Sequence, residues 1–190
     1  TPAPTHIDLE LASICNYKCT FCPQAETEVA FKRRFMDYRL AVKLLRDAKS
    51  IGVKSIKLNW RGESVLHPQF PGIVFKAVDL GFCETMLNTN GSYTDALVEE
   101  AVLKLDTVIF SVDTLKEDVA AHIRPGGPLS TVIRNVAAAV TSGQVPVDKA
   151  KQFMMQTAGA SPDQLKVILQ QVVDAAPTVS TRELGRKKTE

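Results

Sequence analysis

The sequence predicts an α/β protein whose parallel strands form a partial (β/α)6 barrel, an incomplete form of the TIM barrel. Short runs with strand periodicity alternate with longer amphipathic helical runs along the chain. Short connections join them, which favours βαβ units and a parallel sheet. Six predicted strands fall short of the eight that close a TIM barrel, so we expect an open barrel. A doubly wound sheet is the alternative fold.

The strand predictions rest on alternation and on β-branched residues. In the first strand, apolar and polar side chains alternate strictly from His6 to Leu11. The fourth strand, from Thr107 to Val112, is rich in β-branched and aromatic residues. The predicted strands are 6–11, 53–60, 84–88, 107–112, 152–156 and 179–184.

Capping residues and glycines mark the helices between these strands. We expect Asp37 to cap the first helix, Leu40 to face inward, and Gly52 to follow the helix end. Thr94 is expected to cap the third helix, with Leu97 on its inward face. The predicted helices cover about 37–51, 68–80, 94–105, 130–141 and 161–175.

Composition excludes several classes of protein. The chain has 190 residues, of which 45% are hydrophobic and 23% charged, as in an ordinary globular domain. A formal charge of +2 gives no clear electrostatic sign of nucleic-acid binding. No run of residues is long and apolar enough for a membrane span, and the start of the chain lacks a secretory-signal pattern. We therefore expect one domain and neither a membrane protein nor a secreted disulfide scaffold.

Three of the four cysteines are clustered directly after the first predicted strand. Cys15, Cys19 and Cys22 lie within eight residues, whereas Cys83 stands alone. This clustering indicates metal or redox chemistry. Cys83 begins the third predicted strand, at the end of a parallel sheet opposite the cluster, and we interpret it as a small buried hydrophobic residue.

Three cysteines leave more than one metal chemistry open. A structural zinc site takes four protein ligands, and no fourth ligand lies nearby in the sequence. A [4Fe–4S] cluster takes one cysteine per iron, so three cysteines leave one iron open to a substrate or cofactor. A dithiol redox pair formed by Cys19 and Cys22 is a third interpretation.

The motifs around the cysteines resemble those of one known family. The run CNYKCTFC follows a CxxxCxΦC pattern with an aromatic residue before its last cysteine. This pattern resembles the radical S-adenosylmethionine (radical SAM) superfamily, whose core is a (β/α)6 partial barrel. Four later segments resemble further motifs of that family, each beyond a predicted strand, and Arg61 stands where the family has glycine. The segments are Arg61-Gly62-Glu63, Leu87 to Gly91, Ser111-Val112-Asp113, and Arg124 to Gly127.

The resemblance implies two cofactors and the residues that hold them. Cys15, Cys19 and Cys22 would ligate three irons of a [4Fe–4S] cluster, and the open iron would bind S-adenosylmethionine (AdoMet). The implied AdoMet-binding residues are Phe21, Gly62, Glu63, Asn88, Asn90, Ser111, Asp113 and Arg124.

Several of these residues carry an implied role. Phe21 would lie near the adenine, and Glu63 would accept hydrogen bonds from the AdoMet ammonium. Ser111 and Arg124 would bind its carboxylate, the arginine in bidentate fashion. Asp113 would accept hydrogen bonds from the ribose. Gly62 would allow the backbone to approach the ligand closely. Asn88 and Asn90 would donate hydrogen bonds in the same pocket.

The family resemblance also implies an activity. The reduced cluster would cleave AdoMet to a 5′-deoxyadenosyl radical, which abstracts hydrogen from a peptide, sugar or other metabolite. We assign no catalytic residue beyond the cofactor-binding set. An oxygen-sensitive cluster implies a reducing cytoplasm and an electron donor such as flavodoxin or ferredoxin.

The domain organisation follows from the same comparison. Residues 1–190 are expected to form a single radical SAM core domain, closest in look to subfamilies with a C-terminal SPASM or twitch domain. Because no cysteine follows Cys83, this chain has no ligands for their auxiliary clusters. Either it is truncated and lacks an accessory domain or partner, or it works with a single cluster. A non-catalytic iron–sulfur module and a zinc-stabilised α/β domain are the alternative functions.

Overall fold

A computed structural model of the protein describes residues 2–26 and 34–142. The described strands are β1 (His6–Asp8), β2 (Ser55–Lys57), β3 (Glu84–Thr89) and β4 (Thr107–Phe110). The helices are α1 (Pro23–Glu26), α2 (Tyr38–Ser50), α3 (Phe70–Asp79), α4 (Ala96–Val102), α5 (Glu117–Ile123) and α6 (Leu129–Thr141), with a 3-10 turn at Ser64–Leu66. The strands predicted at 152–156 and 179–184 and the helix at 161–175 lie outside the described residues.

The described strands form one sheet in the order β1-β2-β3-β4, and every neighbouring pair is parallel. His6 pairs with Ser55, and Ser55 in turn pairs with Glu84. This arrangement confirms the predicted parallel α/β class, with helices in the connections between strands. The carboxyl ends of all four strands therefore lie at one edge of the sheet, where the loops that follow them meet.

The first long helix confirms its predicted cap and corrects its predicted face. The Asp37 carboxylate accepts a hydrogen bond from the backbone N–H of Leu40 at 2.9 Å. The buried stripe of α2 is formed by Ala41, Val42, Leu45 and Ala48. Leu40 itself is 47% exposed, so its predicted inward position is wrong. It lies one position outside the stripe that Ala41 begins, and each residue turns the helix by about 100°.

The third predicted helix begins one residue later than expected. Asp95, not Thr94, is the N-cap of α4, because its carboxylate accepts from the backbone N–H groups of Leu97 and Val98. A carboxylate is at least as good a cap as a hydroxyl and also favours the positive end of the helix dipole. Leu97, expected inside, is 52% exposed, whereas Ala101 is fully buried.

The short helices α1 and α5 were not predicted. Helix α1 contains only four residues, which is too short for a helical period to show in the sequence. Helix α5 has no buried residue, so it also lacks a clear apolar stripe. No helix within residues 2–26 and 34–142 combines the length and hydropathy needed to cross a bilayer.

The core lies between the sheet and the helices that cover its outer face. Ile56 and Leu87 of the strands and Leu45, Phe70 and Ile73 of the helices are fully buried. Burial of side chains of this size contributes about 1.5–3 kcal/mol each. This packing fixes the strands against α2 and α3 and so sets the positions of the loops at the carboxyl edge.

Candidate functional site

The cysteine loop lies between β1 and α1 at the carboxyl edge of the sheet. Cys15, Cys19 and Cys22 are free thiols, and Cys19 is buried while the other two are half-buried. Burial raises the pKa of the Cys15 and Cys19 thiols, and the charge of Arg124 opposes that rise at Cys19. Cys83 lies at the opposite edge of the sheet, where its backbone N–H donates to the carbonyl of Lys54. We expected Cys83 to be buried, but it is exposed.

One side of the cysteine loop is held by the segment after β2. The backbone N–H of Glu63 donates to the carbonyl of Ile14 at 2.7 Å. Gly62 donates to the side-chain oxygen of Gln24 at 2.9 Å. Gly62 has a φ of 60°, and a Cβ at this position would lie 2.2 Å from the carbonyl oxygen of Ala12. The glycine thus allows close approach to the backbone of the cysteine loop, whereas the sequence analysis assigned that approach to a ligand.

The other side of the loop is held by the segment after α5. Lys18 donates its backbone N–H to the carbonyl of Pro125 at 2.8 Å, and Thr20 donates to Ile123 at 3.0 Å. Cys19 and Arg124 are the residues between these two hydrogen bonds, so they lie next to each other.

Small residues allow this second contact to be close. A Cβ on Gly126 would lie 2.4 Å from the ring of Tyr17 and 2.7 Å from the carbonyl oxygen of Asn16. A Cβ on Gly127 would lie 3.0 Å from the Tyr17 hydroxyl. The Arg-x-Gly element therefore packs its glycines against the cysteine loop.

Glu63 is the most deeply buried charged group of the site, with 2% of its surface exposed. Its two carboxylate oxygens accept from the Thr89 hydroxyl at 2.8 Å and from the Asn90 N–H at 2.6 Å. Burial raises the pKa of Glu63 to about 7, although the hydrogen bonds from Asn90, Thr89 and Val65 oppose the rise. Glu63 is thus about half ionised at physiological pH, and a cation beside it would favour its charged form.

The two asparagines near the carboxyl end of β3, Asn88 within it and Asn90 just after it, have different surroundings. The Asn90 side chain donates to Asn16 at 2.8 Å and lies 3.9 Å from the Cys15 sulfur, so it binds the cysteine loop. The backbone of Asn88 is held by Asn59, whose side-chain oxygen accepts a hydrogen bond from the Asn88 N–H at 2.9 Å. The side-chain oxygen of Asn88 is buried and has no hydrogen-bond partner among the described residues. It is therefore an acceptor that a ligand can satisfy.

Arg124 is held by three neighbours. Its Nε and Nη2 donate to the two oxygens of Asp113, with Nη2 at 3.2 Å. Its Nη1 lies 3.6 Å from the Cys19 sulfur, and its guanidinium lies over the Phe21 ring, 4.8 Å from the centroid. Burial would lower the pKa of Arg124, but the hydrogen bonds and charge of Asp113 outweigh it and raise the pKa. Asp113 thus occupies the donors that the sequence analysis assigned to the AdoMet carboxylate.

The loops line a cavity of about 530 Å³ that is open to solvent at the carboxyl edge of the sheet. This volume lies within the usual range for small-molecule sites. All but one of the residues that the sequence analysis named line it, namely Cys15, Cys19, Phe21, Cys22, Gly62, Glu63, Asn88, Asn90, Ser111 and Arg124. Asp113 instead lines a neighbouring cavity of about 20 Å³, beside Arg124 and Ser111.

Several residues of the cavity were missed by sequence reasoning. Trp60, which is 63% exposed, lines the cavity together with Tyr17 and Asn59. Gln24 joins Gly62 to the carbonyl of Ser13 through its side-chain amide. Tyr17 and Trp60 stand inside or beside quoted motifs, and that proximity was the only available signal. Gln24 lies in α1, a helix of four residues that shows no helical pattern in the sequence.

His67 has a structural role. It is buried, and its ring nitrogens contact the carbonyl of Met36 at 2.7 Å and the N–H of Gln69 at 3.0 Å. Both ring nitrogens are therefore occupied within the protein, so His67 holds loops together and does not face the cavity as a ligand.

The donor set fits a cluster better than a single ion. Within residues 2–26 and 34–142, no three His, Cys, Asp or Glu side chains are grouped so as to hold one metal ion. A cubane takes one thiolate per iron, so its ligands need not meet at a single point as zinc ligands must. Three thiols that line one cavity, next to a buried carboxylate and an unsatisfied amide oxygen, therefore fit a cluster with a polar ligand beside it.

Comparisons with known proteins agree with this geometry. The family described as the Radical SAM superfamily matches residues 9–172. The tungsten-containing aldehyde ferredoxin oxidoreductase cofactor-modifying protein of Pyrococcus furiosus is 35% identical over 113 residues, 58% of this chain and 31% of that protein. A GTP 3′,8-cyclase of Moorella thermoacetica is 30% identical over 166 residues, 84% of this chain and 49% of that protein.

Solved structures show the same fold. Streptococcus suis SuiB bound to S-adenosylmethionine is 20% identical, with a TM-score of 0.64 over 75% of this chain and 32% of SuiB. The protein anSMEcpe with bound AdoMet is 17% identical, with a TM-score of 0.60 over 74% of this chain and 42% of its own. These likenesses confirm the predicted partial barrel. The chain spans about a third to a half of the length of these relatives.

Proposed function

The chain belongs to the radical SAM superfamily, and we propose that Cys15, Cys19 and Cys22 hold its [4Fe–4S] cluster and that the adjoining cavity binds AdoMet. The cluster and AdoMet are the cofactors of this family, as the sequence predicted. The observation that carries the proposal is that all three thiols line one cavity with the buried carboxylate of Glu63. When bound, the two cofactors supply the one-electron cleavage of AdoMet that generates a 5′-deoxyadenosyl radical.

Glu63 is proposed to bind the AdoMet ammonium. Thr89 and Asn90 fix the orientation of its carboxylate at 2.8 and 2.6 Å. A carboxylate has about four acceptor positions, so it can also accept from a ligand in the cavity. Because burial raises the pKa of Glu63 to about 7, an ammonium beside it would recover the cost of ionising it.

The other polar residues of the cavity are proposed to orient the rest of AdoMet. The unsatisfied oxygen of Asn88 accepts a hydrogen bond, so it suits a hydroxyl or amino group of the ligand. Phe21 offers an apolar ring, 59% exposed, against which the adenine can stack. Ser111 and the N–H groups of Arg124 that do not donate to Asp113 bind the AdoMet carboxylate. Asp113 either orients Arg124 or accepts hydrogen bonds from the ribose.

We further propose that residues 1–190 act as one catalytic core domain on a peptide, sugar or other small metabolite. One relative is named for its action on GTP, and SuiB has been crystallised with its precursor peptide SuiA. The proposed setting is a reducing cytoplasm, where a flavodoxin or ferredoxin supplies the electron. An accessory domain or a partner protein is proposed to complete the substrate site, since the relatives are longer than this chain.

The experiment is to reconstitute the protein with iron and sulfide under anaerobic conditions, reduce it, add AdoMet and measure 5′-deoxyadenosine. We expect the wild type to release 5′-deoxyadenosine and Cys19→Ala to lose both the cluster and the cleavage. Glu63→Ala should keep the cluster and bind AdoMet more weakly, because the ammonium loses its acceptor.

Other outcomes identify the alternative functions. A brown protein that binds AdoMet without cleaving it would be a non-catalytic iron–sulfur module. A colourless protein with one zinc per chain would be a zinc-stabilised domain. Cleavage retained in Cys19→Ala would contradict the assignment of the cluster ligands, and unchanged AdoMet affinity in Glu63→Ala would remove Glu63 from the site.

A further inference from the structure

The backbone places Arg124 next to Cys19. The hydrogen bonds from Lys18 to Pro125 at 2.8 Å and from Thr20 to Ile123 at 3.0 Å flank the two residues on both sides. The proximity of the two backbones is therefore set by main-chain hydrogen bonds and does not depend on the rotamer of a long side chain.

The guanidinium is also fixed in direction. Two of its nitrogens donate to Asp113, and the Phe21 ring covers one face at 4.8 Å from the centroid. The third nitrogen, Nη1, is then left 3.6 Å from the Cys19 sulfur. Only 18% of the Arg124 side chain is exposed, so water screens this contact weakly.

We infer that Arg124 is a positioning residue for the cluster ligand Cys19, which it holds by an N–H···S hydrogen bond, with Asp113 setting the direction of the guanidinium. The inference rests on the proposed function, because it requires Cys19 to be a ligand. Hydrogen bonds to the sulfurs and nearby charge are two of the means by which a protein sets the potential of an iron–sulfur cluster. One-electron reduction adds negative charge, so a fixed cation beside a ligand sulfur stabilises the reduced form more than the oxidised form.

The inference differs in its consequence from the carboxylate-binding role implied by the family resemblance. A residue that binds only the AdoMet carboxylate acts on the ligand-free cluster through its charge alone, so lysine in its place leaves the potential unchanged. A residue that donates a hydrogen bond to Cys19 also acts through that bond, so lysine in its place shifts the potential. The potential of Arg124→Lys without AdoMet therefore separates the two roles.

The test is a potentiometric titration of the reconstituted protein without AdoMet, using dithionite and mediators, with the reduced cluster measured by electron paramagnetic resonance. Arg124→Gln removes the positive charge and the paired N–H donors that bind Asp113. We expect it to lower the ratio of reduced to oxidised cluster at a fixed potential by about tenfold, which is 59 mV for one electron. The matched control is Lys18→Gln, since Lys18 adjoins Cys19 in sequence and its exposed side chain carries the same charge. The control should shift the ratio much less, because water screens an exposed charge.

A potential in Arg124→Gln equal to that of the wild type, or to that of Lys18→Gln, would overturn the inference. Arg124→Lys is measured as well, because it keeps the charge and loses the paired hydrogen bonds to Asp113, and it also serves if Arg124→Gln fails to retain iron. Arg124→Lys should shift the ratio in the same direction by a smaller factor, and an unchanged ratio would overturn the inference. A wild-type protein that assembles no cluster would instead refute the proposed function.

Discussion

The site has two walls that differ in burial and in what holds them. We call Gly62, Glu63, Thr89 and Asn90 the inner wall, and Phe21, Asp113 and Arg124 the outer wall. Glu63 is 2% exposed, and the inner wall is held largely by bonds to the backbone of neighbouring loops. Phe21 is 59% exposed, and the side chains of the outer wall are oriented by contacts with one another. The inner wall should therefore govern folding of the cysteine loop, and the outer wall the properties of what binds beside it.

The largest expected effect on the free energy of unfolding is that of a substitution at Gly62, in the inner wall. Its φ of 60° strains any other residue, and a Cβ would lie 2.2 Å from the Ala12 carbonyl oxygen, so Gly62→Ala must displace the cysteine loop. The control is Gly81→Ala, where φ is 68° and a Cβ would meet nothing within 4 Å. We expect the control to lose about 1–2 kcal/mol of unfolding free energy from backbone strain. Gly62→Ala should lose about 3 kcal/mol more in urea unfolding, and equal losses would show that the inner wall does not support the loop.

The second effect is the pH dependence of stability that Glu63 imposes. Its pKa is raised to about 7 in the folded protein, so between its unfolded value and 7 the folded state binds more protons than the unfolded state. Stability from this group is thus fully present below the unfolded pKa and is lost as pH rises through 7.

The measurement is urea unfolding of cluster-free protein at pH 5 and pH 8, for wild type and Glu63→Gln. The wild type should lose roughly 2–3 kcal/mol more than the variant over this interval, because the glutamine does not ionise. Parallel pH profiles would mean that the Glu63 carboxyl does not carry the raised pKa.

The smallest effect is expected in the outer wall at Phe21. Phe21→Leu removes the ring that lies beneath the Arg124 guanidinium, and the ring is mostly exposed, so its loss should cost only about 0.5–1 kcal/mol. The matched substitution Phe70→Leu, at a fully buried ring, should cost clearly more in the same urea unfolding measurement. A loss at Phe21 as large as that at Phe70 would show that the outer wall contributes to stability as much as the buried core does.

The sequence predicted the parts of the molecule that depend on local pattern and on strand direction. Parallel order places the end of every strand at one edge, so the convergence of Glu63, Asn90 and Ser111 on the cysteines followed from motifs placed after strands. Contacts between distant segments carry no such pattern. The pairing of the cysteine loop with residues 123–125 and the capture of Arg124 by Asp113 depend on tertiary packing, which no periodicity encodes.

Boundaries were the other source of error. Thr94 and Asp95 are both good caps, and the choice between them depends on which oxygen reaches the free N–H groups at the helix start. The error at Cys83 also concerns a boundary. Cysteine is usually buried, but Cys83 lies just before β3 begins, and there it is exposed.

The central claim is that three specific thiols hold the cluster, and iron and sulfide content tests it most directly. The protein would be reconstituted anaerobically as the wild type, as a variant with Cys15, Cys19 and Cys22 changed to serine, and as Cys83→Ser. We expect about four irons and four sulfides per chain in the wild type and in Cys83→Ser, and none in the triple variant. A cluster retained in the triple variant, or lost in Cys83→Ser, would contradict that claim.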